Sequence, residues 1–330
     1  MKFTVLIIAH KREQYIELAI RSAIEQNTLA EVEIIAITNF DSKQMNRYMT
    51  EPRVKFIVSR SESLSGKIVE GLTVSTGDYI CFLEDDDEFE SNKISEIEKI
   101  IDAHSGFDYV HNNQVFITEK GLKRKKYYNE NRTDLIANSE ELRSNSKVFL
   151  PHLHFNLSSV TISRRFANEI ITKIPEDLIF VADFYLFLLV ISLPNHLAFF
   201  TAKKLTKFRV HNSSHLSFSD YNTFKVIENT ISSNTLKELD IIERTLPVKK
   251  EMIMRRLISL KFHYDLIQNI YSDRENRSQK ISINTRPDSV QFKYLIKLVS
   301  PLDVGLYVLY RFNRRVAARM FHVFRKIKNL

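Results

Sequence analysis

Residues 66–89 read GKIVEGLTVSTGDYICFLEDDDEF, and the change of character along this stretch decides the fold. The short apolar run Tyr79-Ile80-Cys81-Phe82-Leu83 is introduced by the turn signal Gly77-Asp78 and stops at Glu84-Asp85-Asp86-Asp87-Glu88. Its length and its aromatic and β-type residues read as a buried strand, which puts five acids at the strand's C-terminal end. In an open parallel α/β sheet that edge is where ligands bind. Adjacent carboxylates repel one another, and a hard divalent cation with oxygen ligands relieves the repulsion. A solvated acidic first turn of the helix opening at Asn92-Lys93-Ile94 is the plainer alternative. Strand, carboxylates and the upstream Gly66-Lys67 together favour a metal and phosphate site.

Outward from this stretch the chain alternates. Towards the N-terminus, residues 4–8 form a continuous apolar strand. Ile16, Ala19, Ile20, Ala23 and Ile24 then recur at helical spacing, and strands follow at 33–37 and 54–58 before a short helix at 66–74. Strands alternating with helices predict a parallel sheet built from right-handed crossovers. Towards the C-terminus, Ile94, Ile97, Ile100 and Ile101 line a helix, and residues 109–117 alternate as a strand. A basic turn at 120–126 is followed by a polar stretch, 127–147, read as a mobile loop near the site. Strands are expected at 158–163, 197–201 and 207–210, with helices from 164 and beyond 220. Residues 272–289, polar and containing Pro287, read as a linker. Between Asp177 and Lys203 the one ionised side chain is Asp183, so this stretch is long and apolar enough to consider as a membrane span. Pro194-Asn195-His196 interrupts it, and a buried helix ending near Leu193 followed by a strand is the better reading.

The composition is that of a globular protein, with 44% hydrophobic and 27% charged residues, and 330 residues suffice for two packed units. Six glycines and seven prolines argue against long disordered linkers. The single Cys81 excludes a disulfide framework and reads as a small buried hydrophobe. Met1-Lys2 is followed by an apolar run of strand length that ends in His10-Lys11-Arg12 without a small-residue cleavage site, so a cytosolic protein is expected. The Asn-x-Ser/Thr triplets at Asn131, Asn156, Asn212 and Asn276 are accordingly taken as chance.

Four segments in order resemble a family-2 glycosyltransferase with the GT-A fold, over residues 2–217, about two thirds of the chain. TVLIIAHKREQYIELAI (4–20) resembles the family's first strand, nucleotide-binding loop and helix. GLTVSTGDYICFLEDDDEF (71–89) resembles its Gly-x(5)-Gly-(Asp/Glu)-Tyr-Ile-x-Phe-Leu-Asp-x-Asp-Asp segment, VADFYLF (181–187) its Glu-Asp-Tyr-x-Leu-Trp segment, and FRVHNSSHLS (208–217) its Tyr-Arg-x-His-x-x-x-x-Ser motif. The resemblance implies a mixed, mainly parallel central sheet flanked by helices. It also implies a metal-dependent transfer of sugar from a nucleotide-diphosphate donor to an acceptor hydroxyl, with inversion. Glu84 takes the position that faces the ribose, Asp85 lies beside it, and Asp86 takes the metal-binding position. Asp183 matches the catalytic base, with Ala182 where the family has Glu. His211 matches a histidine that completes the metal shell, and imidazole favours Mn²⁺ over Mg²⁺. The first loop brings Ala9, His10 and Arg12 to the donor in place of the family's Pro-x-Tyr-Asn. Base reading falls to Asn39 or Asp41, because Thr38-Asn39-Phe40-Asp41 replaces the family's Asp-Asp-Gly-Ser. Lys67, near a helix start, is a candidate point charge for the pyrophosphate.

This reading divides the chain into a nucleotide-sugar half (1–105), an acceptor half (106–219) and a helical extension (220–330). From about residue 289 the extension carries nine basic residues against one acid, Asp303, an excess equal to the whole chain's +8. Interleaved apolar residues at roughly helical spacing predict peripheral docking on an anionic membrane and hence a glycan or lipid-linked acceptor. Packing on the catalytic domain or a homodimer interface is the alternative, and no nucleic-acid module accompanies the basic residues. Two rivals to the transferase are a sugar-phosphate nucleotidyltransferase, which would want a Gly-rich loop after the first strand, and a non-catalytic scaffold.

Overall fold

Phe3, Val5, Leu6, Ile7 and Ile8 are all fully buried, a condition a strand meets only when both its faces are covered. They form β1 (Lys2–Ile8), at the centre of the sheet. The computed structural model describes residues 1–10, 12–40, 43–123, 133–144, 153–211, 221–247, 251–271 and 301–328. After β1 come α1 (Glu13–Ile24), β2 (Glu31–Thr38), α2 (Lys43–Asn46), β3 (Val54–Val58), α3 (Leu64–Val74) and β4 (Tyr79–Glu84). Then follow β5 (Glu88–Phe89), α4 (Lys93–Ala103), β6 (Tyr109–Thr118), β7 (Leu135–Asn138), α5 (Ser139–Ser144) and β8 (Val160–Ser163). The remaining elements are α6 (Arg164–Ile170), α7 (Ala182–Ser192), β9 (Leu197–Val210), α8 (Tyr221–Thr245), α9 (Glu251–Tyr271), α10 (Pro301–Phe312) and α11 (Arg314–Lys328).

Among the described residues nine strands form one sheet in the order β3-β2-β1-β4-β8-β6-β9-β5, with β7 on β9. The strands β3, β2, β1 and β4 run parallel, as the alternation of strands and helices requires. β8 joins β4 antiparallel and begins the mixed half. On one face Ile16, Ala19, Ile20 and Ala23 of α1 pack with Ile94, Ile97 and Ile101 of α4 over the inward residues of β1, β2 and β4. α3 approaches the sheet closely. A Cβ on Gly71 would lie 2.4 Å from Leu6 Cδ1 and 2.9 Å from Ile37 Cδ1, so a larger residue at this spacing would force those side chains to move.

The structure departs from the sequence expectation in two places. The stretch 127–147 is not all loop, since β7 and α5 lie within it. The signal was a capping box. Asn138 Oδ1 accepts from the Glu141 backbone N–H at 3.0 Å, and Glu141 Oε2 accepts from the Asn138 backbone N–H at 2.8 Å. The expected strands 197–201 and 207–210 are one strand, β9, because the intervening Lys203 and Lys204 stay exposed while the backbone ladder continues. The apolar stretch that invited a membrane reading is α7, whose residues from Phe184 to Ser192 are all buried. No described helix is long and apolar enough to cross a membrane.

The chain divides into two compact units, Met1–Arg209 with Thr245–Val248, and Val210–Arg244 with Lys249–Leu330. The first holds the sheet. The second is helical, with Phe224, Leu266, Ile267, Ile270, Tyr271, Leu306, Ala317, Ala318 and Phe321 forming its core. The Tyr271 hydroxyl donates to the Ala318 carbonyl at 2.9 Å, tying α9 to α11. Part of the apolar complement of the basic segment is therefore spent inside this unit, while Val316, Met320 and Val323 stay exposed on α11.

Candidate functional site

Parallel pairing aligns Ile8 of β1 with Glu84 of β4, so the first loop and the acidic run leave the same edge of the sheet side by side. Asp85, fully buried, holds that loop. It accepts from the His10 backbone N–H at 2.6 Å, the Arg12 backbone N–H at 3.3 Å and Arg12 Nε at 2.7 Å. The same guanidinium donates through Nη1 to Asp86 at 2.5 Å and comes within 3.9 Å of Glu84. Burial works against the charge on Arg12, yet Asp86, Asp85, Glu84 and Asp87 together hold its pKa above the ordinary arginine value. Burial and the neighbouring Asp86 push the Glu84 carboxyl well above the usual carboxylate range, and Arg12 opposes them. Burial also raises Asp85 against the pull of Arg12.

Lys67 lies beneath the loop and not on its surface. Ser63 caps α3 by accepting from the Gly66 backbone N–H at 2.9 Å, and one turn of helix carries Lys67 into the core, where it is fully buried. Its ammonium donates to the Ala9 carbonyl at 2.8 Å and to Asn39 Oδ1 at 3.1 Å, tying the ends of β1 and β2 together. Asn39 thus commits its oxygen to Lys67. Its amide N–H groups are the donors it can offer a ligand.

Beyond the predicted set, the structure gathers Asp87, Asn156, Ser158, Lys93 and Arg209 around the acidic run. Asp87 accepts from the Arg209 backbone N–H at 2.9 Å and from Asn156 Nδ2 at 3.0 Å. Burial and Asp86 nevertheless push its carboxyl up to about 7. Arg209, fully buried, donates through Nε to the Asp86 carbonyl at 2.9 Å, pairs with Glu88 and reaches the Glu119 carbonyl at 2.9 Å. Lys93 is also fully buried. It donates to the Ser158 carbonyl at 2.6 Å and lies 3.9 Å from the centre of the Phe89 ring, and burial brings its pKa down to about 7. Arg209 was visible in the sequence as the Arg of the Tyr-Arg-x-His motif. Lys93 and Asn156 left no comparable signal.

Asp183 stands in the first turn of α7, half-buried, so it is at the mouth of the apolar helix and not inside it. Its Oδ1 accepts from the Phe184 backbone N–H at 2.7 Å and its Oδ2 from the Asn156 backbone N–H at 3.1 Å. Its charge is among those that raise the Glu84 carboxyl, which places it within electrostatic reach of the acidic run. The structure therefore brings together Ala9, His10, Arg12, Asn39, Lys67, Glu84, Asp85, Asp86 and Asp183. Asp41 lies outside the described residues, and His211 is buried directly after β9. Among the described residues no three His, Cys, Asp or Glu side chains form a group that could hold a metal by themselves. The donor chemistry still fits a hard divalent ion, since such ions are commonly held by one or two carboxylates together with substrate phosphates. Burial first, and then the neighbouring Asp86, raise the proton affinity of Glu84 and Asp87, so carboxylate repulsion in this run is what a bound cation would relieve.

The model of glycosyl transferase family 2 matches residues 4–169. Residues 1–349 of TarS from S. aureus share the fold with a TM-score of 0.52 at 13% identity, covering 100% of this chain and 89% of that one. The same segment in complex with UDP-GlcNAc gives 0.54 at 13% identity, again with 100% and 89% covered. Complete TarS gives 0.51 at 13% identity, with 100% of this chain and 54% of TarS covered. No curated protein sequence matches the chain. The architecture is the expected GT-A type, a mixed, mainly parallel sheet flanked by helices with a helical C-terminal region.

Proposed function

We propose, since the chain belongs to glycosyl transferase family 2, that it moves a sugar from a nucleotide-diphosphate donor to an acceptor hydroxyl with inversion at the anomeric carbon. The observation that carries this reading is that Asp183 is set against the acidic run at the C-terminal edge of β4, linked to it through Asn156. A base for the acceptor and a charged platform for the departing diphosphate are then side by side.

In this mechanism the loop held by Asp85 receives the nucleotide, with Ala9, His10 and Arg12 beside it and Glu84 towards the ribose. Asn39 offers its amide N–H groups to a carbonyl of the base. Asp86 would hold a divalent ion, Mn²⁺ before Mg²⁺, which when bound supplies charge neutralisation for the leaving diphosphate. Arg12 now occupies Asp86, so its guanidinium shares or yields that carboxylate. Asp183 takes the proton from the acceptor hydroxyl as its oxygen bonds to the anomeric carbon and the bond to the diphosphate breaks. The acceptor is a membrane-borne glycan or lipid-linked sugar, in keeping with the basic helices of the second unit as a membrane-docking element. The neighbour's bound UDP-GlcNAc makes that compound the first donor to try. Calorimetric titration with UDP-GlcNAc, UDP, GDP and TDP, with and without Mn²⁺, tests the binding half of this reading. Micromolar binding of a nucleotide that weakens on Asp86→Ala supports it, and no binding of any of them rejects it.

A further inference from the structure

The triplet Asn156-Leu157-Ser158 lies between the acidic run and Asp183. All four polar groups of Asn156 are engaged. Its backbone N–H donates to Asp183 Oδ2 at 3.1 Å, and its carbonyl accepts from the Ser159 backbone N–H at 3.0 Å. Its side-chain Oδ1 accepts from the Ser158 backbone N–H at 2.6 Å, and Nδ2 donates to Asp87 Oδ2 at 3.0 Å. The turn it caps also reaches the other end of the run, because Ser158 Oγ accepts from the Glu84 backbone N–H at 2.9 Å.

Asn156 achieves this at φ 76° and ψ 112°, a region that residues with a Cβ rarely adopt and that persists only where the surroundings over-determine it. A cap on the turn requires only the bond from Ser158. The bonds to Asp183 and Asp87 are additional, and each ends on a carboxylate that the transfer reaction uses or adjoins. The bond from the side chain to Asp87 is buried, so it is shielded from exchange with water.

We propose that Asn156 is a positioning residue that sets the Asp183 carboxylate against the acidic run, acting on the chemical step through Asp183. The proposal rests on the reading of Asp183 as base. The test uses the full chain and the sugar nucleotide it hydrolyses fastest from a panel of UDP-, GDP-, CDP- and TDP-sugars, with water as acceptor. Asn156→Gly accommodates the positive φ and keeps the N–H to Asp183 but loses both side-chain bonds, the tie to Asp87 and the cap on Ser158. It is expected to lower kcat about 10- to 100-fold, the cost of a small misplacement of a reacting group, with the donor KM within about 2-fold. In an Asp183→Asn background the same change should cost nothing further, since both act on one step. A wild-type kcat in Asn156→Gly, a loss carried in KM, or an equal loss in both backgrounds would overturn the proposal. If Asn156→Gly fails to fold, Asn156→Asp, which retains the oxygen for Ser158 but lacks the donor for Asp87, is judged by the same criteria. Failure of both to fold makes Asn156 a structural turn only and also overturns it. Wild-type protein that turns over no sugar nucleotide removes the base reading and this proposal together, whereas turnover indifferent to Asn156 removes the proposal alone.

Discussion

Replacing Arg12 by Met keeps the stem of the side chain and removes the guanidinium that links Asp85, Asp86 and Glu84. Two of those contacts are 2.7 and 2.5 Å long, and the Arg12 side chain is only 24% exposed. Breaking one side of a buried pair costs about 3–5 kcal/mol, and partial exposure puts this site at about 3 kcal/mol at pH 8. The loss depends on pH in a definite direction. Glu84 and Asp87 hold protons more tightly in the folded chain than at the unfolded value near 4. The folded state therefore binds more protons, and their contribution is fully present at low pH and lost as pH rises through about 7. Removing Arg12 raises these acids further, so the deficit should be about 3 kcal/mol at pH 8 and shrink to about 1 kcal/mol at pH 5. Urea denaturation followed by circular dichroism at the two pH values measures both. Millimolar Mn²⁺ should restore part of the loss at pH 8, because Asp86 is then open to a cation. A deficit equal at both pH values, or below about 0.5 kcal/mol at pH 8, would refute the view that Arg12 neutralises the run.

Three further outcomes are expected. Gly71→Ala would press a methyl into Leu6 and Ile37 and lift α3 with its buried Lys67, costing about 1–3 kcal/mol in urea denaturation and weakening nucleotide binding in calorimetry. Lys93→Met should abolish a rise in stability between pH 7 and about 10, since a buried lysine with a depressed pKa binds its proton more weakly when folded than unfolded; a variant whose pH profile over that range matches wild type would contradict it. Liposomes of anionic lipid should sediment the protein in a salt-sensitive manner, and Val316→Ser with Met320→Ser, both exposed on α11, should abolish the binding; a double variant that still pellets would end the membrane reading.

Much of the parallel half was legible because its signals are local. The apolar run before Glu84, the isoleucine spacing of α4 and the helical spacing of α1 each follow from periodicity within one element. The acidic run's place at the sheet edge follows from the strand that precedes it. What the site residues contact was harder to see, because the pairs lie far apart in sequence. Arg12 meets Asp86 across 74 positions, and Arg209 meets Asp87 across 122. Lys67, expected as a point charge for the pyrophosphate, and Lys93, expected at a helix start, are both fully buried with their donors on carbonyl and side-chain oxygens. Asn156 combines both difficulties, since a left-handed backbone at a residue other than glycine leaves no pattern. Asp183 was found by resemblance, and its place in the first turn of α7, where its own backbone and Asn156 satisfy it, replaces the picture of a carboxylate immersed in an apolar helix.

The most direct test of the account is release of nucleoside diphosphate from a panel of sugar nucleotides in the presence of Mn²⁺, comparing wild type with Asp86→Ala and Asp183→Asn. The account predicts turnover of at least one donor by wild type, lost on chelation of the metal and reduced at least about 100-fold in either variant, each of which remains folded by circular dichroism. Absence of turnover on every donor, or turnover unchanged in both variants, would contradict it.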